Sequence, residues 1–167
     1  MLNLFGRRTR TERLRALDGA TFTIAPGESV ALIGANGAGK STTLKLLAGI
    51  YEPTSGRVEV EGRVASLLDL GVGFHPELTA LENLHLNGAL MGLDRRAMKA
   101  IIPSIIAFAG LERFVDTPVK YFSAGMFMRL GFSLATACEP DILVIDEVLA
   151  VGDASFQNKC YDRIFGF

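Results

Sequence analysis

The chain has 167 residues, 49% of them hydrophobic, enough apolar mass to build one compact domain around a core. Seventeen Lys and Arg against 18 Asp and Glu leave a net charge of −1, so no basic surface argues for a nucleic-acid partner. Mean hydropathy is high at +0.31, yet no apolar run reaches the roughly 18 residues of a membrane span, so the excess points to a generous core or to surface covered by a partner.

The opening "MLNLFGRRTRTER" is basic but lacks an apolar signal core and a small-residue cleavage site, so no export signal is expected. "LRALDGATFTIA" alternates apolar and polar residues, "PGE" turns the chain, and "SVALIG" reads as a short apolar strand. The loop "GANGAGKST" follows, and "STTLKLLAGI" carries apolar positions at helical spacing. "YEPTSG" is a turn cluster, "RVEVEG" alternates like a strand with one solvated face, and "RVASLLDL" offers another strand. After the glycine-rich "GVGFHPELT", Thr79 and Glu82 stand at capping-box spacing and open a helix through "ALENLHLNGALMG". "DRRAMKAIIPSIIAFAGL" reads as a helix that Pro103 kinks or breaks, and Ser123 caps a third, "AGMFMRLGFSLATACE". "DILVIDE" is a buried strand ending in two acids, with a last helix expected from Ser155. Cys138 and Cys160 lack metal-ligand spacing and are expected to stay reduced in a cytosolic setting.

This order of strands, helical block, strand and helix defines an α/β layout with a helical insertion. The strands before the glycine loop and before the acids are expected side by side in one parallel sheet, with the site at their carboxyl ends.

The chemistry begins in the glycine loop. Gly34, Gly39, Lys40 and Ser41 fill every fixed position of the phosphate-loop pattern G-x-x-x-x-G-K-[ST], between a predicted strand and a predicted helix. Glycines let backbone N–H groups curl around a phosphate, and the helix behind offers its positive end. Across Gly34, Ala35, Asn36, Gly37, Ala38, Gly39, Lys40, Ser41 and Thr42, the pattern assigns Lys40 to the β- and γ-phosphates and Ser41 to Mg²⁺. A bare turn would explain the glycines but not the lysine and hydroxyl fixed behind Gly39. Asp146, at the end of a buried strand, needs a charge to meet, and a metal-bound water suits it. Glu147 beside it is free to polarise the water that attacks the γ-phosphate. Ser123, Ala124 and Gly125 start a helix and suit a second anion site, one that would serve a neighbour's nucleotide; the plainer alternative is a tightly packed helix cap.

On these residues the chain resembles the nucleotide-binding domain of an ABC transporter. The phosphate loop is "GANGAGKS", the acidic strand "ILVIDE", "FSAGM" stands where that family has its serine–glycine–glycine signature, and "AVGDA" matches its D-loop, with Asp153 in the aspartate position. "LGVGFHPELTALENL", "SAGM" and "DEVLAVGDASFQNKC" resemble the branch that exports polysaccharides, O-antigen and teichoic acid. The resemblance implies a P-loop NTPase core sheet of RecA-like type with an inserted helical subdomain: an ATP-binding core from 1–77 and 138–167, and a helical subdomain over 78–137. It implies an ATPase using ATP and Mg²⁺, with Glu147 as base and with Ser41 and Asp146 on the metal, Asp146 through water. Two such domains close head to tail, and Ser123, Ala124, Gly125 and Asp153 act across that seam. The implied partner is an integral membrane permease, which places the chain peripherally on the cytoplasmic face of the membrane.

The sequence departs from the family in three places. The loop "GVGFHPE" has no glutamine, and His75 is the polar candidate there, though a lone loop histidine is ordinarily just solvated. The segment before the first strand, "TRTERLRAL", has no aromatic residue to stack on adenine, and Phe5 stands far from it. No histidine follows Glu147, since His75 and His85 both lie upstream, so the family's switch-histidine strand is missing and a truncated domain is expected. A domain that only binds ATP and a soluble ABC-type ATPase of DNA repair or translation are the alternatives to the exporter subunit.

Overall fold

The computed structural model describes residues 14–68, 73–146 and 153–166. The chain divides into two compact units, Met1–Thr43 and Leu44–Phe167. Helix α1, Lys40–Leu47, begins in the first and ends in the second.

In the first unit the described residues before α1 form no strand, which corrects the expectation for "ATFTIA" and "SVALIG". Val30 and Ile33 stay 53% and 94% exposed. In the second unit "RVEVEG" likewise carries no strand. The alternation in these segments identifies a face that could be buried, but a strand exists only through a neighbour's hydrogen-bonded ladder.

The ladder that does form lies in the second unit. Strands β1, Val64–Ser66, and β2, Ile142–Val144, pair in parallel, with Val64 opposite Ile142 and Ser66 opposite Val144. β2 therefore takes β1 as its described neighbour, where the sequence reading had put the strand before the glycine loop. Side chains fix the start of this pairing. The Arg63 N–H donates to Asp141 Oδ2 at 2.7 Å, and the Arg63 guanidinium donates to the Glu139 carbonyl at 2.7 Å. Gly62 makes room, because a Cβ there would come within 2.8 Å of the Asp141 Cβ, and its φ of +111° suits glycine alone.

Among the described residues the long crossover from β1 to β2 holds three α-helices, α2 (Ala80–Leu90), α3 (Arg95–Ala109) and α4 (Ala124–Ala137), and α5 (Ala154–Phe165) follows β2. The capping box opens α2 as expected, with the Glu82 N–H donating to Thr79 Oγ1 and the Thr79 N–H donating to Glu82 Oε2. Asp94 caps α3 by accepting from the Ala97 N–H at 2.7 Å, and Gly110 ends the helix in the left-handed conformation. α3 continues unbroken through Pro103, so of the two expected outcomes the break does not occur. Pro103 and Lys99, whose carbonyl loses its helical partner, both face solvent, while Met98, Ile102, Ile105 and Ile106 are buried on the other side. The lost hydrogen bond falls where water replaces it, and packing holds the helix together.

Two apolar clusters form around α4. Leu130 and Leu134, a turn apart, join Leu84 of α2 and Met98, Ile102 and Ile105 of α3. Phe132 and Ala135 instead join Ala65 and Leu67 by β1, and Phe156 and Cys160 of α5. Phe108, Phe132 and Phe156 meet in a triangle with ring centres 5.7–6.1 Å apart, tying α3, α4 and α5 together.

Leu130→Ala removes a side chain fully buried between α2, α3 and α4 and should cost about 3 kcal/mol, measured by urea unfolding; a cost near zero would contradict the packing described. The two cysteines are free, and burial pushes the Cys160 thiol up to about 11. At pH 8 only about one Cys160 in a thousand is then a thiolate. Alkylation of Cys160 should be negligible in the folded chain and rapid in urea, as followed by mass spectrometry.

Candidate functional site

The phosphate loop belongs to the first unit. Gly37 and Gly39 take φ of +81° and +92°, so both need glycine. Gly39 also has no room for a side chain, since a Cβ would lie 2.6 Å from Leu17 Cδ2 and 2.9 Å from the Ala16 carbonyl. Lys40, the first residue of α1, folds its ammonium back over the loop and donates to the carbonyls of Gly34 at 2.8 Å and Ala35 at 2.9 Å. Thr43 steadies the first turn by donating its hydroxyl to the Gly39 carbonyl at 3.0 Å. No acidic residue occupies the first turn of α1, so its positive end and the Lys40 charge stay uncompensated by carboxylates of that turn. Gly34 to Thr42 are thus one continuous loop and helix start with the chemistry a phosphate group needs: conformationally free glycines, a cation held over the loop, and a helix N-terminus. Ser41 is exposed and Thr42 half-buried in the same turn.

The remaining described candidates lie in the second unit. Ser123 caps α4, its hydroxyl accepting from the Met126 N–H at 3.2 Å, and Ser123 and Ala124 are exposed. A Cβ at Gly125 would meet only Ser123 Oγ, at 3.9 Å, so open space faces this residue. The first turn of α4 also has no acid. Asp153 caps α5, accepting from the Phe156 N–H at 2.9 Å through Oδ1, and its Oδ2 pairs with Arg129 Nη2 of α4 at 3.2 Å. The Phe156 N–H first, and the Arg129 charge after it, hold the Asp153 carboxyl below its ordinary 3.8. The structure therefore joins Asp153 to the helix that begins at Ser123. Asp146 is half-buried two residues past β2, while Glu147, the expected base, lies outside the described residues.

In the loop before α2 the plainer reading of His75 holds. His75 is exposed, and its Nδ1 accepts from the Glu77 N–H at 3.3 Å. The work of shaping the loop falls to two asparagines one turn apart on α2. Asn83, fully buried, accepts from the His75 N–H at 2.6 Å and donates to the carbonyls of His75, Leu78 and Thr79. Asn87 donates to the Gly73 carbonyl at 3.1 Å. Sequence reasoning passed over both; the available signal was a pair of amides four apart on a helix otherwise apolar on that face.

The ABC transporter family model matches residues 17–150, and the chain belongs to that family. It is 55% identical over 152 residues to the O-antigen export system ATP-binding protein RfbB of Klebsiella pneumoniae, covering 91% of this chain and 62% of that protein. It is 43% identical over 165 residues to the teichoic acids export ATP-binding protein TagH of Bacillus anthracis, covering 99% of this chain and 30% of that one. The chain thus spans under two thirds of the length of these relatives. The dimeric post-hydrolysis state of the ATP-binding cassette MJ0796 bound to ADP and Pi superposes with a TM-score of 0.72 at 23% identity, covering 86% of this chain and 70% of that one. The fold is that of the P-loop ATPases expected from the sequence, an α/β core with inserted helices.

Depressed carboxyls make the second unit sensitive to acid. Glu82, held below its ordinary 4.5 chiefly by the Thr79 N–H, and Asp153 stabilise the fold at neutral pH and lose that contribution as pH falls through their folded values. The urea midpoint should drop between about pH 5 and pH 3. Asp153→Asn, which keeps a capping side chain but no titrating charge, should flatten part of that drop. A wild-type midpoint constant across this range would rule the account out.

Proposed function

We propose that the chain is the ATP-binding and ATP-hydrolysing subunit of an ABC exporter for a polysaccharide, O-antigen or teichoic acid. The observation that carries this reading is the Lys40 ammonium resting on the Gly34 and Ala35 carbonyls at the start of α1, a cation held within the loop that the phosphates would enter. The similarity to subunits named for O-antigen and teichoic acid export supports the substrate class.

In this reading the chain binds ATP through the backbone of Gly34 to Thr42, with Lys40 exchanging two carbonyls for phosphate oxygens that hold it more strongly because they are charged. Ser41 and Asp146 would hold Mg²⁺, Asp146 through water, and the ion would supply charge neutralisation at the phosphates. Glu147 orients and deprotonates the attacking water. Ser123, Ala124, Gly125 and Asp153 act on the nucleotide of a second nucleotide-binding domain in a head-to-tail dimer. Residues 1–77 with 138–167 serve as the ATP-binding core and 78–137 as the helical subdomain. The further partner is an integral membrane permease, against which the chain works peripherally at the cytoplasmic face of the membrane. Among the described residues no helix is long and apolar enough to cross a membrane.

Lys40→Ala should weaken ATP binding by tenfold or more, measured by titration with a fluorescent nucleotide, since it deletes the cation aimed at the phosphates; equal binding by mutant and wild type would sink the assignment. Glu147→Gln should leave ATP binding intact and cut turnover by about 10²- to 10⁴-fold, the range for loss of a general base. A mutant that hydrolyses ATP at the wild-type rate would remove Glu147 from the mechanism.

A further inference from the structure

We propose that Arg129 is a positioning residue that locks Asp153 to helix α4, so that Ser123–Gly125 and Asp153 meet a partner domain as one rigid piece. The inference rests on the reading above, in which both elements act across a dimer, and adds to it the residue that fixes their mutual geometry.

Arg129 lies under two helical turns beyond Ser123 on α4, so its backbone is rigidly tied to the helix start. Its Nη2 reaches Asp153 Oδ2 at 3.2 Å, while Oδ1 of the same carboxylate accepts the Phe156 N–H at 2.9 Å. Each carboxylate oxygen therefore has a separate partner, one on α4 and one on α5. The guanidinium is braced over the Phe156 ring, 5.7 Å from its centre, and that ring belongs to the Phe108–Phe132–Phe156 triangle. The start of α5 is thus joined to α4 through the Asp153–Arg129 pair and through packing of Phe156 beneath it.

The manner of burial indicates that Arg129 serves for its charge. Its Nε is buried and finds no hydrogen-bond partner among the described residues. A methionine would bury a similar stem without leaving an N–H unpaired, so packing alone does not select arginine here. Lysine would keep the charge but lose the planar face that lies on Phe156 and the fixed fork that aims at Asp153.

The test is steady-state ATP hydrolysis by the purified chain and its Arg129→Gln, Arg129→Lys and Asp153→Asn variants, with the Arg129→Gln/Asp153→Asn double mutant. If Arg129 positions Asp153, kcat falls about tenfold or more in Arg129→Gln and Asp153→Asn while KM stays within about twofold. The double mutant is then no worse than the worse single, and Arg129→Lys recovers part of the loss. Wild-type kcat in Arg129→Gln, or losses that multiply in the double mutant, would overturn the proposal. Should Arg129→Gln fail to fold, Arg129→Lys carries the decision. It keeps a cation near Asp153 but loses the planar fork, so kcat falls with KM unchanged if Arg129 positions Asp153, and wild-type kcat in that folded variant overturns the proposal. A wild-type chain that neither binds nor hydrolyses ATP overturns the exporter reading and the proposal together. That outcome is distinct from an active wild type matched by its variants, which overturns the proposal alone.

Discussion

The second unit depends on one constraint: α4 is buried from Leu130 to Thr136 without interruption, so apolar surface must meet it on every side. A helix with a solvent face can rest on a single layer, but one buried all round must stand between two. Leu130 and Leu134 draw α2 and α3 to one side, and Phe132 and Ala135 draw β1 and α5 to the other. Even its polar side chains obey this, since Ser133 and Thr136 return their hydroxyls to carbonyls one turn back, at Arg129 and Phe132. The position of the Ser123–Gly125 tip, with Ser123 and Ala124 exposed, follows from the burial of the rest of the helix.

The glycine loop before α1 is built in the opposite way, keeping backbone and charge available. Gly37 and Gly39 accept conformations that a side chain would resist, and the collision awaiting a Cβ at Gly39 shows how closely the chain passes Ala16 and Leu17 there. Lys40 satisfies its ammonium on two neutral carbonyls, a weaker arrangement than an ion pair and one that a charged ligand can displace. No acidic residue of the first turn of α1 competes for that role.

Elsewhere in the second unit, buried amides and one arginine convert packing into loop shape. Asn83 satisfies its side chain wholly on the backbone of the segment before α2, so the fold of that segment is written into a helix position. Arg129 does the same at the start of α5 through Asp153. In both cases a residue in a regular element holds an irregular one, which is how a loop gains a fixed geometry without regular structure of its own.

Helix starts and the glycine loop running into α1 were legible in the chain, because Thr79 with Glu82, Ser123, and Gly34 through Ser41 act on neighbours a few residues away, where spacing along the sequence equals spacing in space. Strand pairing was not legible. "SVALI" and "RVEVEG" carry strand-like patterns yet form no ladder, whereas Val64–Ser66 pairs with Ile142–Val144 because Arg63, Glu139 and Asp141 meet across the whole helical block. The effect of Pro103 was illegible for the same reason, since its cost depends on whether the orphaned carbonyl faces water or core. The sequence by itself determined the family, the glycine-loop pattern before α1 and the run of helices between β1 and β2. Only the tertiary structure decided which strands pair, that Asn83 and Asn87 hold the described segment before α2, and that Arg129 joins Asp153 to α4, because a strand ladder, a buried amide and an ion pair between helices are set by packing rather than by spacing along the chain.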